Sequence, residues 1–423
     1  MAYQSLDEWL AWQTTLHARE IELGLDRIEK VAQRLDLLKC PFKVITVAGT
    51  NGKGSSVAML STILTAAGYT VGSYTSPHIL QYNERIKVAL KSATDEELCA
   101  SFAKIDRARD AISLSFFEFA TLAALDIFHQ RKIDVAVLEV GLGGRLDATN
   151  IIDNDLAIVT SIGLDHTEWL GNDKESIAYE KAGILRAHKP AVCSDAAPPQ
   201  SIQQVAEQRQ TSLYQLGKDF NYHIKDASWD FTTSAGDLKA LPMPNLLGHI
   251  QVQNAAGVLM GLQCLQASLP VPEQAIRDGL QRLHLAGRFQ RLQRTCEVIL
   301  DVAHNQDSAE NLAHNLNAYP SAGKTFAVFA VLNDKDVNSI VELISPHIDA
   351  WYISVVHSTR AMKIDSVQQA LLKHAGDRVI YQFPAVDEAY QSALQHASAR
   401  DRVLVFGSIF TVSEVLALEQ SGE

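Results

Sequence analysis

Apolar residues recur along this chain with two different periods, and the alternation between them sets out its architecture. From 5 to 38, Leu6, Leu10, Leu16, Ile21, Ile28, Val31, Leu35 and Leu38 stand among charges at helix-like spacing, broken once at Gly24. That pattern predicts two amphipathic helices. Short β-branched runs follow at 43–48, 70–74, 134–140 and 156–160, with helix-length segments between them. Strands alternating with helices form a mostly parallel sheet covered on both faces. From 211 to 248 the sequence turns polar with scattered aromatics (Tyr214, Phe220, Tyr222, Trp229, Phe231) and prolines 242 and 244, which predicts a small antiparallel sheet. Helical runs over 253–267 and on to Leu283, punctuated by Pro270 and Pro272, lead to a linker at 284–287. Strand-like runs return at 298–302, 325–331, 350–356 and 402–406. The expected fold is α/β in two domains, 1–285 and 286–423, with the small antiparallel sheet in the first.

The first strand runs straight into Gly49-Thr50-Asn51-Gly52-Lys53-Gly54-Ser55. Three glycines let the backbone turn tightly with its N–H groups facing outward, and Lys53 adds a point charge. Small and apolar residues from Ser55 to Ala67 predict a helix whose positive end faces the same way, so the segment reads as a triphosphate-binding loop. It is a variant of the usual G-x-x-x-x-G-K-[ST] pattern: Val47 replaces the first glycine, and Gly54 separates Lys53 from Ser55. A plain strand–helix turn would explain the glycines but gives no reason for a lysine at the tip.

Composition narrows the class. A chain of 423 residues, 47% hydrophobic and 20% charged, fits a soluble globular protein of two domains. The net charge of −12 argues against a nucleic-acid or membrane-surface partner, so anionic substrates must be held by local cations or metal. Five dispersed cysteines with no C-x-x-C pair suggest neither disulfides nor a zinc site. No stretch reads as a secretion signal or membrane span, which makes the cytoplasm the expected location.

In open α/β sheets, ligands sit beyond the carboxyl ends of the strands. Thr75-Ser-Pro-His78, Glu139-Val-Gly-Leu-Gly-Gly-Arg-Leu-Asp-Ala-Thr-Asn150 and Leu164-Asp-His-Thr167 all lie there, which places Ser76, Glu139 and His166 where oxygen and imidazole ligands could meet Mg²⁺ on ATP. Each alone has a plainer reading as a solvated strand end or a rim histidine. Together with the phosphate loop, Glu84-Arg-Ile86, Phe116-Phe-Glu-Phe119, Glu180-Lys-Ala-Gly-Ile184, Gly287-Arg-Phe289 and Asp301-Val-Ala-His-Asn305, these motifs run nearly end to end, and the chain closely resembles the dihydrofolate synthase/folylpolyglutamate synthase family, relatives of the Mur peptide ligases.

The resemblance implies an N-terminal P-loop ATPase domain with a folate or pteroate pocket and a smaller C-terminal glutamate-ligase domain. ATP would phosphorylate a substrate carboxylate, and the amine of L-glutamate would displace the phosphate. Carried over residue by residue, Gly49 to Ser55 would hold the phosphates, while Ser76, Glu139, His166 and Lys181 would hold two Mg²⁺ ions, Lys181 as a carbamate. Unaided, Lys181 reads as an ordinary surface lysine. Asn254, in a Gln-Asn-Ala-Ala helix start, Arg288 and Asp301 match nucleotide positions, and His304 a position near the incoming glutamate. Arg288 at the joint could couple domain closure to chemistry, although a linker arginine paired to a carboxylate is an equal reading of the residue alone.

Bifunctional members use 7,8-dihydropteroate as well as tetrahydrofolates, and Leu23, Arg27, Ser115, Phe116, Phe117, Glu118, Leu146, Asp147 and Ala148 match their pteroate segments. Phe117 would offer an aromatic face to the pterin and Asp147 an acceptor, although some of the phenylalanines must be core. Ala286 and Gln306 stand where the family usually has proline. Family members are expected to be monomeric. The competing readings are a folylpolyglutamate synthase alone, a Mur cell-wall ligase and a nucleotide-dependent switch. The last two explain neither Phe116-Phe-Glu-Phe119 nor, for the switch, a second domain with its own Asp-x-x-His-Asn motif.

Overall fold

The computed structural model describes residues 3–17 and 22–421, so Ile21 lies outside the described residues. Helices α1 (Leu6–Leu16) and α2 (Asp26–Arg34) fall on either side of Gly24. The Ser5 side chain caps α1 by accepting from Glu8 N, and Ile28, Val31 and Ala32 bury one face of α2.

The main sheet is built from β1 (Lys43–Ala48), β2 (Val71–Tyr74), β3 (Ile86–Val88), β4 (Lys91–Ser92), β5 (Val135–Glu139), β6 (Leu156–Val159), β7 (Pro190–Cys193) and β8 (Ser212–Gln215), in the order β4-β3-β2-β5-β1-β6-β7-β8. From β2 through β8 neighbours pair in parallel; β3 and β4 form an antiparallel edge. Helices α3 (Lys53–Ala66), α4 (Asp95–Arg109), α5 (Phe116–Arg131), α6 (Thr167–Leu170), α7 (Lys174–Ala182) and α8 (Gln200–Gln208) connect its strands. β1 lies between β5 and β6, so the chain leaves β1 toward one edge and returns on its other side. That reversal opens a crevice at the carboxyl end of β1, where the glycine-rich loop lies.

A second sheet contains β9 (Phe220–Ile224), β10 (Ser228–Thr233) and β11 (Leu238–Pro242), paired antiparallel. The expectation that this sheet begins at 211 is corrected: Ser212–Gln215 extends the main sheet by pairing in parallel with β7. β7 itself was missed because four residues opening on proline give little periodicity to read. Helices α9 (His249–Leu265) and α10 (Glu273–Gln281) follow. Asn254 therefore sits in the second turn of α9, not at its start, since the helix already begins at His249.

The last sheet comprises β12 (Gln290–Gln293), β13 (Glu297–Leu300), β14 (Thr325–Phe329), β15 (Ala350–Ile353), β16 (Val379–Gln382) and β17 (Arg402–Phe406), ordered β12-β13-β17-β14-β15-β16. It is parallel except for β12, and α11 (Gln306–Ala318), α12 (Val337–Ile344), α13 (Ile364–His374), α14 (Val386–His396) and α15 (Ile409–Ser421) accompany it. Phe329, Trp351 and Phe406 meet in its core. The two edge strands, β12 and β16, escaped the sequence reading because each is only four residues long, and β12 (Gln-Arg-Leu-Gln) has a single apolar residue.

The chain forms two compact units. The first takes the described residues to Ile162 together with Thr167–Asn245 and Val252–Leu283; the second takes Gly163–His166, Leu246–Gln251 and the described residues from His284 onward. Among the described residues no helix is long and apolar enough to cross a membrane.

Candidate active site

In the first unit, β1 delivers the chain into a loop whose shape depends on two glycines. Gly49 has φ +151°, and a Cβ there would lie 1.7 Å from Thr160 Oγ1. Gly52 has φ +88° and would place a Cβ 2.6 Å from Asn254 Oδ1. Both positions combine a conformation other residues avoid with no room for a side chain. Thr160 is held against the loop by donating to Asn51 O at 2.7 Å, and Thr50 N donates to Ser161 O at 2.7 Å. Gly52 then serves as the N-cap of α3 without any capping side chain. The first-turn N–H groups of such a helix have no partner within the helix, which leaves them aimed outward with the positive end of the dipole.

Two lysines converge on this loop. Lys53 Nζ donates to Gly49 O at 3.0 Å and Thr50 O at 3.1 Å, and Lys181 Nζ donates to the same Gly49 carbonyl at 2.9 Å. Lys181 is only 5% exposed, which corrects its reading as an ordinary surface lysine. Its amine has a carbonyl to bond, so burial costs less than it would for an unpartnered ammonium. Glu139, the last residue of β5, is also buried and accepts from Ser76 N at 3.3 Å. The turn carrying Ser76 is fixed from below, because Glu84 accepts the N–H groups of Ile79, Leu80 and Gln81, each at 2.8 Å. His78 accepts from Arg85 Nε at 2.8 Å; burial and the Arg85 charge push its pKa down to about 4, against the pull of Glu84.

A buried carboxylate, a nearby serine turn and a set of outward N–H groups fit a divalent cation bound together with phosphate. Among the described residues no group of three or more His, Cys, Asp or Glu could hold a metal alone. A cation here would therefore complete its oxygen shell with phosphate or water, as Mg²⁺ usually does.

The expected pteroate segments also lie in the first unit. Ser115 caps α5 in a reciprocal box with Glu118, whose Oε2 accepts Ser115 N at 2.7 Å. Arg27 pairs with Glu118 at 3.2 Å and with Glu22. Leu23 and Leu146 are brought close by Gly24 N donating to Leu146 O at 3.4 Å. Phe119 is core, whereas Phe116 and Phe117 are only partly buried, Phe117 with its ring 5.7 Å from that of Tyr74. Asp147 is buried beside Ala148 and caps the turn that follows, accepting from Leu142 N, Thr149 N and Thr149 Oγ1. Burial raises its pKa, opposed by those bonds. Most of its acceptor capacity is thus already committed to its own loop.

The second unit holds His166, Arg288, Asp301 and His304. Asp301 accepts from Phe289 N and Ala303 N, both at 2.8 Å, tying the Arg288 segment to the end of β13. Burial raises its pKa, and the Arg288 charge is the foremost opposing influence. His304 Nδ1 donates to Val302 O at 2.8 Å, which turns Nε2 toward Asp165 at 3.3 Å. Sequence reasoning missed Asp165 and Lys335 as site residues. Asp165 also meets Lys335 at 2.7 Å and Asn305 Nδ2 at 3.1 Å. Burial opposes its charge, but the hydrogen bond and charge of His304, with the charges of His166 and Lys335, hold its pKa well below the usual carboxylate range. Lys335 stands beyond β14, so the strand-end rule that selected the other residues pointed to it as well.

Two family models match: Mur ligase middle domain over residues 115–261 and Mur ligase, glutamate ligase domain over 287–409. Dihydrofolate synthase/folylpolyglutamate synthase of Escherichia coli is 44% identical over 416 residues, 98% of this chain and 96% of that protein. Among solved structures, E. coli FolC in complex with DHPP and ADP aligns at a TM-score of 0.94 and 43% identity, covering 100% of this chain and 99% of its own. A bifunctional folylpolyglutamate synthase/dihydrofolate synthase with Mn, AMPPNP and L-glutamate bound aligns at 0.91 and 43%, covering 99% of each chain. With a relative 44% identical over 98% of its length and a solved structure matching its fold end to end, the chain belongs to the dihydrofolate synthase/folylpolyglutamate synthase family of Mur ligases.

Proposed function

We propose that this chain is an ATP-dependent ligase that joins L-glutamate to 7,8-dihydropteroate and, in further rounds, to tetrahydrofolates and their polyglutamates. The observation that carries this reading is a phosphate loop flanked by two lysines in a chain 44% identical, end to end, to an enzyme named for both activities. Residues 1–285 form the ATPase and pteroate-binding domain, and 286–423 the glutamate-ligase domain. The protein works as a monomer in the cytoplasm.

The backbone N–H groups of 51–55 receive the β and γ phosphates, and Lys53 leaves its carbonyl partners for a phosphate oxygen. Asn254, Arg288 and Asp301 hold the rest of the nucleotide. Ser76, Glu139, His166 and Lys181, the last as a carbamate, would hold two Mg²⁺ ions, which when bound would supply positive charge between the two anions. The substrate carboxylate attacks the γ phosphorus and ADP leaves. The amine of glutamate then attacks the acyl carbon, loses a proton and expels inorganic phosphate, forming the amide. A carboxylate oxygen is a poor leaving group and a phosphate a good one, which is why ATP is consumed. Asp165 and Lys335 steady His304 beside the incoming glutamate, while Phe117 faces the pterin and Asp147 anchors its loop.

The test is ADP release by purified protein with Mg-ATP and L-glutamate, offering dihydropteroate and tetrahydrofolate separately and weighing the products. Both products gaining one glutamyl residue supports the proposal. Turnover with tetrahydrofolate alone reduces the protein to a folylpolyglutamate synthase, and no turnover with either refutes ligation.

A further inference from the structure

Lys181 is the penultimate residue of α7, and a helix end leaves its last carbonyls without partners inside the helix. Gly183 N, Ile184 N and Leu185 N turn back to the carbonyls of Glu180, Lys181 and Ala182, and the loop after β5 adds a shorter bond of its own. Arg145 N donates to Glu180 O at 2.8 Å, and the Arg145 guanidinium returns to the Glu180 carboxylate, with Nη2 at 2.9 Å and Nε at 3.2 Å. One residue therefore grips both the main chain and the side chain of its neighbour across the gap. Gly144 passes so close that a Cβ would lie 2.9 Å from both the Glu180 and Lys181 carbonyl oxygens. Asn150 Nδ2 closes the clasp by donating to Arg145 O at 3.0 Å and Gly183 O at 3.2 Å, and Arg186 holds the Asn150 amide at 2.9 Å.

We propose that Arg145 and Glu180 are positioning residues, a clasp that fixes the roll of α7 and so aims the Lys181 amine at the Gly49 carbonyl of the phosphate loop. The lever is long. With a backbone radius of about 2.3 Å and an extended lysine chain of about 6 Å, Nζ stands roughly 8 Å from the helix axis, so a roll of about 10° moves it by about 1.4 Å. That displacement breaks a 2.9 Å hydrogen bond. The clasp has a chemical purpose if Lys181 is carbamylated, and this part rests on the reading above. The neutral amine must meet CO₂ at one fixed point, its nitrogen bonding the carbon and releasing a proton, for the resulting carbamate oxygens to serve as ligands.

The experiment compares wild type with Glu180→Gln, which keeps the shape and loses the charge, and Arg145→Lys, which keeps the charge and loses the fork. In CO₂-free buffer, acetylation of Lys181 by a water-soluble active ester is timed by peptide mass. In ¹³C-bicarbonate, the carbamate carbon is followed by NMR. Circular dichroism and ADP binding check that each variant is folded. A clasp predicts acetylation of Lys181 faster by about three- to tenfold in both variants, and about tenfold more bicarbonate for half-occupancy, the range of one partly exposed charge-assisted bond. Unchanged acetylation in both variants overturns the clasp, whatever the carbamate does. Faster acetylation with no carbamate signal in wild type supports the clasp and sinks the carbamate instead.

Discussion

Replacing Gly49 by alanine attacks the glycine-rich loop after β1 at its tightest point. Two costs add. At φ +151° an alanine occupies a backbone region that is nearly closed to residues with a Cβ, at about 1–3 kcal/mol. The new methyl would also stand 1.7 Å from Thr160 Oγ1 and 3.2 Å from Thr160 N, and forcing such an overlap to relax costs a further 1–3 kcal/mol or so. The expected loss is therefore about 2–6 kcal/mol, a large part of the roughly 5–15 kcal/mol that a folded protein has. It is read from the midpoint of urea unfolding at constant slope. Thr160→Ala removes the colliding oxygen but leaves the Thr160 Cβ at 2.9 Å and the dihedral strain, so Gly49→Ala/Thr160→Ala should recover only part of the steric cost. The interaction energy of that cycle should therefore stay below the full steric cost, at about 0.5–3 kcal/mol. Function should suffer in parallel, because the Gly49 carbonyl anchors both Lys53 and Lys181; a shift of about 1 Å there costs on the order of 100-fold in turnover. Gly49→Ala with stability within about 0.5 kcal/mol of wild type and undiminished ADP release would refute the reasoning.

Arg288→Ala should lower kcat more than it raises KM for ATP, if the guanidinium acts on charge that develops during phosphoryl transfer; raised KM values with unchanged kcat would contradict that role. Asp165→Asn should cost about 2–4 kcal/mol by leaving Lys335, 6% exposed, short of one carboxylate. Because folding depresses the pKa of Asp165, its contribution is complete above the unfolded value of about 3.9 and is lost progressively as pH falls below that toward and through the much lower folded value. The acid limb of stability below about pH 4 should flatten in Asp165→Asn, and an unchanged limb would show that other carboxylates carry it. His78, whose pKa is depressed to about 4, favours the folded state above the unfolded value of about 6.5 and loses that advantage as pH falls toward 4. His78→Gln should reduce the slope of stability between those values, and an equal slope in the variant would count against it. Phe117→Ala should raise KM for dihydropteroate by about tenfold or more through loss of its aromatic face, an effect that product formation at varied substrate would expose.

Local pattern alone determined the alternation of strands and helices, because a period of two or of 3.6 survives without knowing any neighbour. The strand at 402–406 and the glycine-rich turn after Ala48 are of this kind, and so is the break at Gly24. The tight strand-to-helix turn at 49–55 was legible because three glycines and a lysine have few other reasons to alternate at a strand end. What the sequence could not carry was pairing. Ser212–Gln215 looked like part of a separate antiparallel sheet because its own residues do not record that β7 offers a parallel edge. Lys181 looked exposed because only the tertiary structure brings the Gly49 carbonyl, 132 positions away, within 2.9 Å of its amine. Asp165 drew no attention for the same reason, since the Lys335 that pairs with it lies 170 positions further on. Burial of a charge is decided by its partner, and partners that distant are chosen by the packing of whole elements rather than by the residues beside them.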